Sequence, residues 1–163
     1  MAILADTLNT SADAYRENRE AMLRQVALHD EQLASVTAGG GPNYVQRHRT
    51  RGKMLARERI EALLDPASPF LELSPLVAWG SQFPLGAGLV TGIGVVEGVE
   101  CLVVANDPTV RGGASNPFTM KKIIRAMEIC RENRLPLVNL VESGGADLPS
   151  QSDIFIPGGQ SFR

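Results

Sequence analysis

The succession of apolar runs and glycine-rich turns in this chain predicts an α/β fold. Two strand-like runs, Val99–Ala105 and Leu137–Val141, flank a segment from Asn116 to Asn133 whose apolar residues recur at helical spacing. Each run ends in a glycine-rich turn, Val110-Arg-Gly-Gly-Ala-Ser115 after the first and Ser143-Gly-Gly-Ala146 after the second. A further strand-like run precedes the first, so the order reads strand, strand, helix, strand, and both turns are expected to open on the same edge of a sheet.

From the N-terminus, the residues up to Thr10 include Asp6 and lack the basic and apolar regions of a secretory signal. Ser11 is a candidate helix cap, and Tyr15, Met22, Val26, His29, Leu33 and Val36 follow at helical spacings, which predicts one long amphipathic helix over residues 11–36. Its apolar stripe suits packing on another subunit or on its own chain. Gly39-Gly40-Gly41-Pro42 is expected to end the helix as a flexible joint, dividing the chain into residues 1–41 and 42–163. A basic segment follows, with six of the 16 basic residues between Arg47 and Arg59 against one acid, Glu58. It leads into a short helix that Pro66 stops.

From Pro69 the pattern turns to β. Phe70-Leu71-Glu72-Leu73 alternates, and Gly88–Val96 and Val99–Ala105 flank Glu97-Gly98, which predicts a hairpin. Gly92 and Gly94 lack the rest of a dinucleotide-binding pattern and read as bulge or close-approach glycines. After Asn106-Asp107-Pro108 and the first glycine-rich turn, Asn116 is expected to cap a helix opening on Pro117, with Met120, Ile123, Ile124 and Met127 on its apolar face. The run from Leu137 suits a strand buried on both faces.

With 163 residues, 44% hydrophobic and 21% charged, the composition is that of a globular domain. A formal charge of −2 gives no global attraction to nucleic acid or membrane, and no apolar run is long enough to span a bilayer. Cys101 and Cys130 have no CxxC spacing, and His29 and His48 have no metal-ligand spacing, so a cytoplasmic chain without a metal site is expected.

The chemistry is expected at the turns. Glycine lets a ligand reach the peptide nitrogens, so Ser143-Gly-Gly-Ala146 is either an anion or oxyanion site or a tight reversal of the chain. The basic segment is either a solvated face, a nucleic-acid arm or a small-anion contact. The absence of interleaved aromatics favours the last.

Arg51-Gly-Lys-Met-Leu-Ala-Arg-Glu-Arg-Ile60, Gly92-Ile-Gly-Val-Val-Glu-Gly-Val-Glu100, Ala105-Asn-Asp-Pro-Thr-Val-Arg-Gly-Gly-Ala114 and Ser143-Gly-Gly-Ala-Asp-Leu-Pro149 with Gln151-Ser-Asp-Ile-Phe155 resemble the carboxyltransferase (β) subunits of biotin-dependent acyl-CoA carboxylases. The last block is most similar to the methylcrotonyl-CoA and geranyl-CoA branch. The resemblance spans residues 44–163 and implies a crotonase-like α/β fold of repeated β-β-α units, incomplete here and preceded by the long helix. It implies transfer of a carboxyl group to an acyl-CoA from carboxybiotin, which arrives on a biotin carboxylase/biotin carrier α subunit. It further implies assembly with other carboxyltransferase subunits; the chain's own charge, composition and residue spacing are what argue against a metal, nucleic acid or membrane.

On the same resemblance, Gly144, Gly145 and Ala146 are assigned to the acyl-CoA pocket. Arg111, Gly112 and Gly113 form a second lining loop, and Arg51, Lys53 and Arg57 are candidate contacts to CoA phosphates. Each has a structural alternative: Arg57 is also one turn from Glu61, a pairing worth about 0.2–0.5 kcal/mol, and Arg111 also suits a plain surface position. Proton removal in the family falls to the biotin ureido group, so Glu142 and Asp147 are not assigned as acid and base. Ser143 lacks the G-x-S-x-G elbow of a hydrolase nucleophile. The chain stops at Gln160-Ser-Phe-Arg163, before a second glycine loop and the biotin side, so it is expected to be a fragment, inactive alone, with an unpaired sheet edge and exposed apolar surface. The competing expectations are a non-catalytic assembly module and a subunit of a related biotin-dependent decarboxylase.

Overall fold

The structure, a computed structural model, describes residues 8–159. The reading of the first ten residues therefore falls mostly outside the described residues, and that of Gln160–Arg163 entirely so. Packing divides the chain into two units, one up to Ser35 and one from Val36 onward.

The first unit is most of α1, Asp13–Thr37, the long helix expected from the periodicity. Ser11 is not its cap: its hydroxyl and its N–H both donate to Asn9 Oδ1, at 2.7 and 3.1 Å, in a turn that precedes the helix. No residue of α1 is buried, and Met22 and Val26 of its apolar stripe are exposed, as is Leu23.

The second unit holds α2 (Pro42–Thr50), α3 (Ala56–Leu63), β1 (Leu71–Glu72), β2 (Leu89–Val96), β3 (Val99–Asn106), α4 (Pro117–Asn133), β4 (Leu137–Leu140) and α5 (Gln151–Gly159). The four strands form one sheet in the order β1-β2-β3-β4, antiparallel except for the parallel β3/β4 pair, which α4 connects. The β2/β3 hairpin turns on Glu97 (φ 51°) and Gly98 (φ 75°), both left-handed, as a two-residue turn matched to strand twist requires. The Asp65 carboxylate accepts both turn N–H groups, at 2.7 and 2.8 Å. β2 and β3 pair without interruption, so Gly92 makes no bulge; a Cβ there would lie 2.2 Å from the Phe70 ring.

The sheet is covered on both sides. Ala56 and Ile60 of α3 pack with Val90, Val103 and Ala105, while Ala126 of α4 packs with Leu89, Leu102 and Val104, so alternate residues of β3 enter opposite cores. The strand buried on both faces is thus β3 rather than β4. As the edge strand, β4 turns Val138 and Leu140 toward the α3 core and leaves Leu137 and Asn139 exposed.

α4 begins as its sequence predicts: Asn116 Oδ1 accepts the N–H groups of Phe118 and Thr119, at 2.9 and 3.1 Å, and Pro117 opens the helix. Its buried face carries an unexpected charge. Lys122 is 3% exposed, and its Nζ donates to the Leu89 carbonyl at 2.6 Å. Desolvation lowers its pKa from 10.5 to about 8, with Glu72 opposing and Arg57 adding to the effect.

The Gly39–Gly41 run is docked rather than a free joint. Gly40 N–H donates to Thr109 Oγ1 at 2.9 Å, and a Cβ at Gly40 would stand 1.8 Å from the Thr109 carbonyl oxygen. Glycine is required there for close approach to backbone. The buried Asp107 carboxylate holds Thr109 in turn, accepting its N–H at 2.9 Å and its hydroxyl.

Candidate functional site

Because β3 and β4 are parallel and paired through Ala105 and Leu140, the segments that follow them leave the sheet at one edge. The first runs from Asp107 to Ser115 and the second from Val141 to Asp147. The structure brings them into direct contact. Gly144 N–H donates to the Gly112 carbonyl at 2.9 Å, Ser115 N–H to the Gly145 carbonyl at 2.8 Å, and Asp147 N–H to the Ser115 carbonyl at 2.8 Å. Ser115 and Ala146 thereby form an isolated parallel bridge. Ser143 Oγ donates to the Gly113 carbonyl at 2.8 Å and accepts the Gly145 N–H at 3.1 Å. The serine hydroxyl is a strut between the loops.

These bonds change which amides are available. Gly144 and Gly145 already have acceptors, whereas the N–H groups of Gly112 and Ala146 have none among the described residues. Both residues are exposed, as are Ser143, Gly144, Gly145 and Arg111, while Gly113 is buried with the Glu142 carbonyl 2.4 Å from where its Cβ would be. Arg111 (φ 47°), Gly112 (φ 67°) and Gly113 (φ 70°) are three successive left-handed residues, which folds the first loop tightly against the second.

The basic segment reaches the same edge through Lys53, whose Nζ pairs with Glu142 Oε1 at 2.5 Å. Hydrogen bonding from Lys53 is the main cause holding the Glu142 carboxyl below its ordinary range, and the charges of His48 and Arg59 act in the same direction. Arg51 is exposed just past α2. Arg57 does not pair with Glu61. Its Nε and Nη2 grip Glu72 of β1 at 3.0 and 2.7 Å, and Nη1 lies 3.4 Å from the Val36 carbonyl, so all three nitrogens are engaged.

Two contributors had no local signal in the sequence. Arg59 of α3 donates to the carbonyls of Leu140 and Asn106, the last residues of β4 and β3. Asn106 Oδ1 accepts the Glu142 N–H at 3.4 Å. Helical spacing marks Arg59 only as a neighbour of a buried face.

A cleft of about 610 Å³ lies away from these loops, where α3 runs into Pro66 and Phe70. Ile60, Leu64, Pro66 and Phe70 line it with Arg57, whose charge is already matched by Glu72. The loop edge, with exposed residues whose N–H groups lack acceptors among the described residues and with basic side chains, is the better candidate for chemistry on an anion. Among the described residues no group of three or more His, Cys, Asp or Glu is placed to hold a metal, and no helix is long and apolar enough to cross a membrane.

The β-β-α unit delivers two glycine-rich loops to one edge through its parallel strands, and residues 47–161, which contain it, match the carboxyl transferase domain. The chain belongs to that family. It is 61% identical over 161 residues to a probable biotin-dependent acyl-coenzyme A carboxylase β2 subunit of Mycobacterium tuberculosis, a match covering 99% of this chain and 30% of that one. It is 49% identical over 156 residues to a probable mitochondrial methylcrotonoyl-CoA carboxylase β chain of Drosophila melanogaster, covering 94% of this chain and 27% of that one. The crystal structure of the P. aeruginosa geranyl-CoA carboxylase β subunit superposes with a TM-score of 0.89 at 39% identity, covering 98% of this chain and 30% of that one. The fold is thus the crotonase-like α/β class of these carboxyltransferases, and the chain spans about 30% of the length of its relatives.

Proposed function

We propose that this chain forms the acyl-CoA side of the carboxyltransferase component of a biotin-dependent acyl-CoA carboxylase, acting on a conjugated, methylcrotonyl-type thioester. The observation that carries the reading is the joining of the two glycine-rich loops, with the N–H groups of the exposed residues Ala146 and Gly112 left without acceptors among the described residues. Names and identities of the relatives support the substrate class.

The mechanism follows from where charge develops. Removing a carbon-bound proton from the acyl group makes an enolate whose oxygen gains negative charge, and preorganised N–H donors stabilise it more than they stabilise the ground-state carbonyl. Ala146 N–H is the proposed donor, with Gly144 and Gly145 shaping the loop and Arg111, Gly112 and Gly113 lining the opposite side. Carboxybiotin, carried by an α-type partner subunit, supplies the carboxyl group. Arg51 and Lys53 are proposed contacts to CoA phosphates. Arg57 is proposed to fix the segment through Glu72. The exposed Met22, Leu23 and Val26 of α1 support assembly with other subunits, and a cytoplasmic location completes the reading.

The test is carboxyl transfer by the complete carboxyltransferase containing this chain, supplied with its biotin-bearing partner and 3-methylcrotonyl-CoA. A carboxylated CoA product is expected; release of the carboxyl group without one contradicts the reading. Lys53→Ala is expected to raise KM for the CoA thioester several-fold at low salt, with the difference shrinking toward 1 M salt as the Debye length falls to about 3 Å. An unchanged KM at low salt removes Lys53 from the phosphate site.

A further inference from the structure

We infer that Arg59 is a positioning residue that sets the separation of the two glycine-rich loops, and through it the aim of the Ala146 N–H. The inference rests on the reading of those loops as the thioester site and extends it to a residue outside them.

The geometry is a single planar fork placed across two strand ends. Nη1 donates to the Leu140 carbonyl at 3.2 Å, and Nη2 donates to the Asn106 carbonyl. Leu140 and Asn106 are the last residues of β4 and β3, so each bond falls where the ladder stops and the loop begins. Nη1 also lies 3.8 Å from Glu142 Oε2, and Glu142 is the residue immediately before Ser143-Gly-Gly-Ala146. The loops are therefore tied at their base by one guanidinium and at their tips by the Gly144–Gly112, Ser115–Gly145 and Asp147–Ser115 bonds.

Arg59 is itself held rigidly. It follows Ala56 and precedes Ile60, both 2% exposed in the α3 core, and its own side chain is only 18% exposed. Its Nε is buried with no partner among the described residues. A buried N–H left unpaired is unfavourable, so the side chain is placed for its two carbonyl bonds and not for complete satisfaction of its own donors. A lysine keeps the charge but not the fork, because an ammonium on a flexible stem does not hold two carbonyls in one plane.

The experiment uses the complete carboxyltransferase with its partner. Arg59→Lys is expected to lower kcat by about 10- to 100-fold, the scale of a misplacement near 1 Å, with KM for the acyl-CoA changed less than about threefold. Amide hydrogen exchange supplies a readout independent of turnover. The Gly144 N–H, bonded across the loops, is expected to exchange at least about tenfold faster in the variant, while Leu102 and Val103 in β3 keep wild-type protection. Arg59→Gln, whose planar amide reaches only one carbonyl, serves in the same way where the lysine variant does not fold. Unchanged exchange at Gly144 overturns the clamp itself. Faster exchange with wild-type kcat also overturns the inference, and in that case the failure lies in taking the loops as the thioester site.

Discussion

Replacing Gly145 by valine is expected to lower turnover by at least about 100-fold, the effect of losing one oxyanion donor, while the chain keeps its fold. Gly145 sits at φ 98°, a conformation a β-branched residue does not hold, yet no atom lies within 4 Å of the position its Cβ would take. The added Cβ therefore meets no steric obstacle; the backbone itself must rotate, at a strain of roughly 1–3 kcal/mol. Rotation moves the Gly145 carbonyl, which accepts the Ser115 N–H, and the Ala146 N–H that follows it. The core below is untouched, because Leu102, Val103 and Ala105 are fully buried in β3, away from this exposed loop. Turnover measured beside a thermal unfolding curve separates the two effects. Wild-type turnover in a folded Gly145→Val protein removes this loop from the reaction.

The second large effect concerns stability and Lys122. Burial lowers the pKa of its amine from 10.5 to about 8, so near neutral pH the native state holds an ammonium that its surroundings disfavour. The sign follows from proton binding. Between about pH 8 and 10.5 the unfolded chain keeps a proton at this site that the native chain releases, so the site's penalty is relieved as pH rises through that window. A shift of this size corresponds to about 3 kcal/mol, the net of desolvation and the Arg57 charge, which disfavour the ammonium, and Glu72 on β1, which favours it. Denaturant unfolding of wild type and Lys122→Met as a function of pH checks it: the wild type is expected to gain stability relative to the variant from pH 8 to 10.5. Parallel profiles would show that the amine titrates normally.

Local chemistry in the sequence reached the elements whose cause is local. Glu97-Gly98 between alternating runs gives the hairpin, and Asn116-Pro117 gives the start of α4, because turn dihedrals and capping bonds involve neighbours. The paired glycine-rich loops were legible for a related reason, since parallel strands joined by a helix leave the sheet in the same direction. What was not legible depends on distant partners. The Gly39–Gly41 run reads as a joint by composition, but Thr109, far along the chain, docks it. Lys122 follows Lys121 in the first turns of α4, and nothing beside it in the chain shows that β2 brings the Leu89 carbonyl to its amine. Arg57 has Glu61 at helical spacing, yet the sheet presents Glu72 in a better bidentate geometry. The apolar run at Leu137 suggests full burial, and only the strand order shows it to be an edge. Within the candidate site, sequence singled out the two loops but not which of their amides stay open, because the bonds between the loops decide that.

The most direct measurement is a crystal structure of the complete polypeptide with an unreactive acyl-CoA thioester bound. The Ala146 nitrogen is expected within about 3.1 Å of the thioester oxygen, with the CoA phosphates beside Arg51 and Lys53. A thioester seated elsewhere, with the Ser143–Ala146 turn packed against protein, would contradict the assignment of this edge to acyl-CoA.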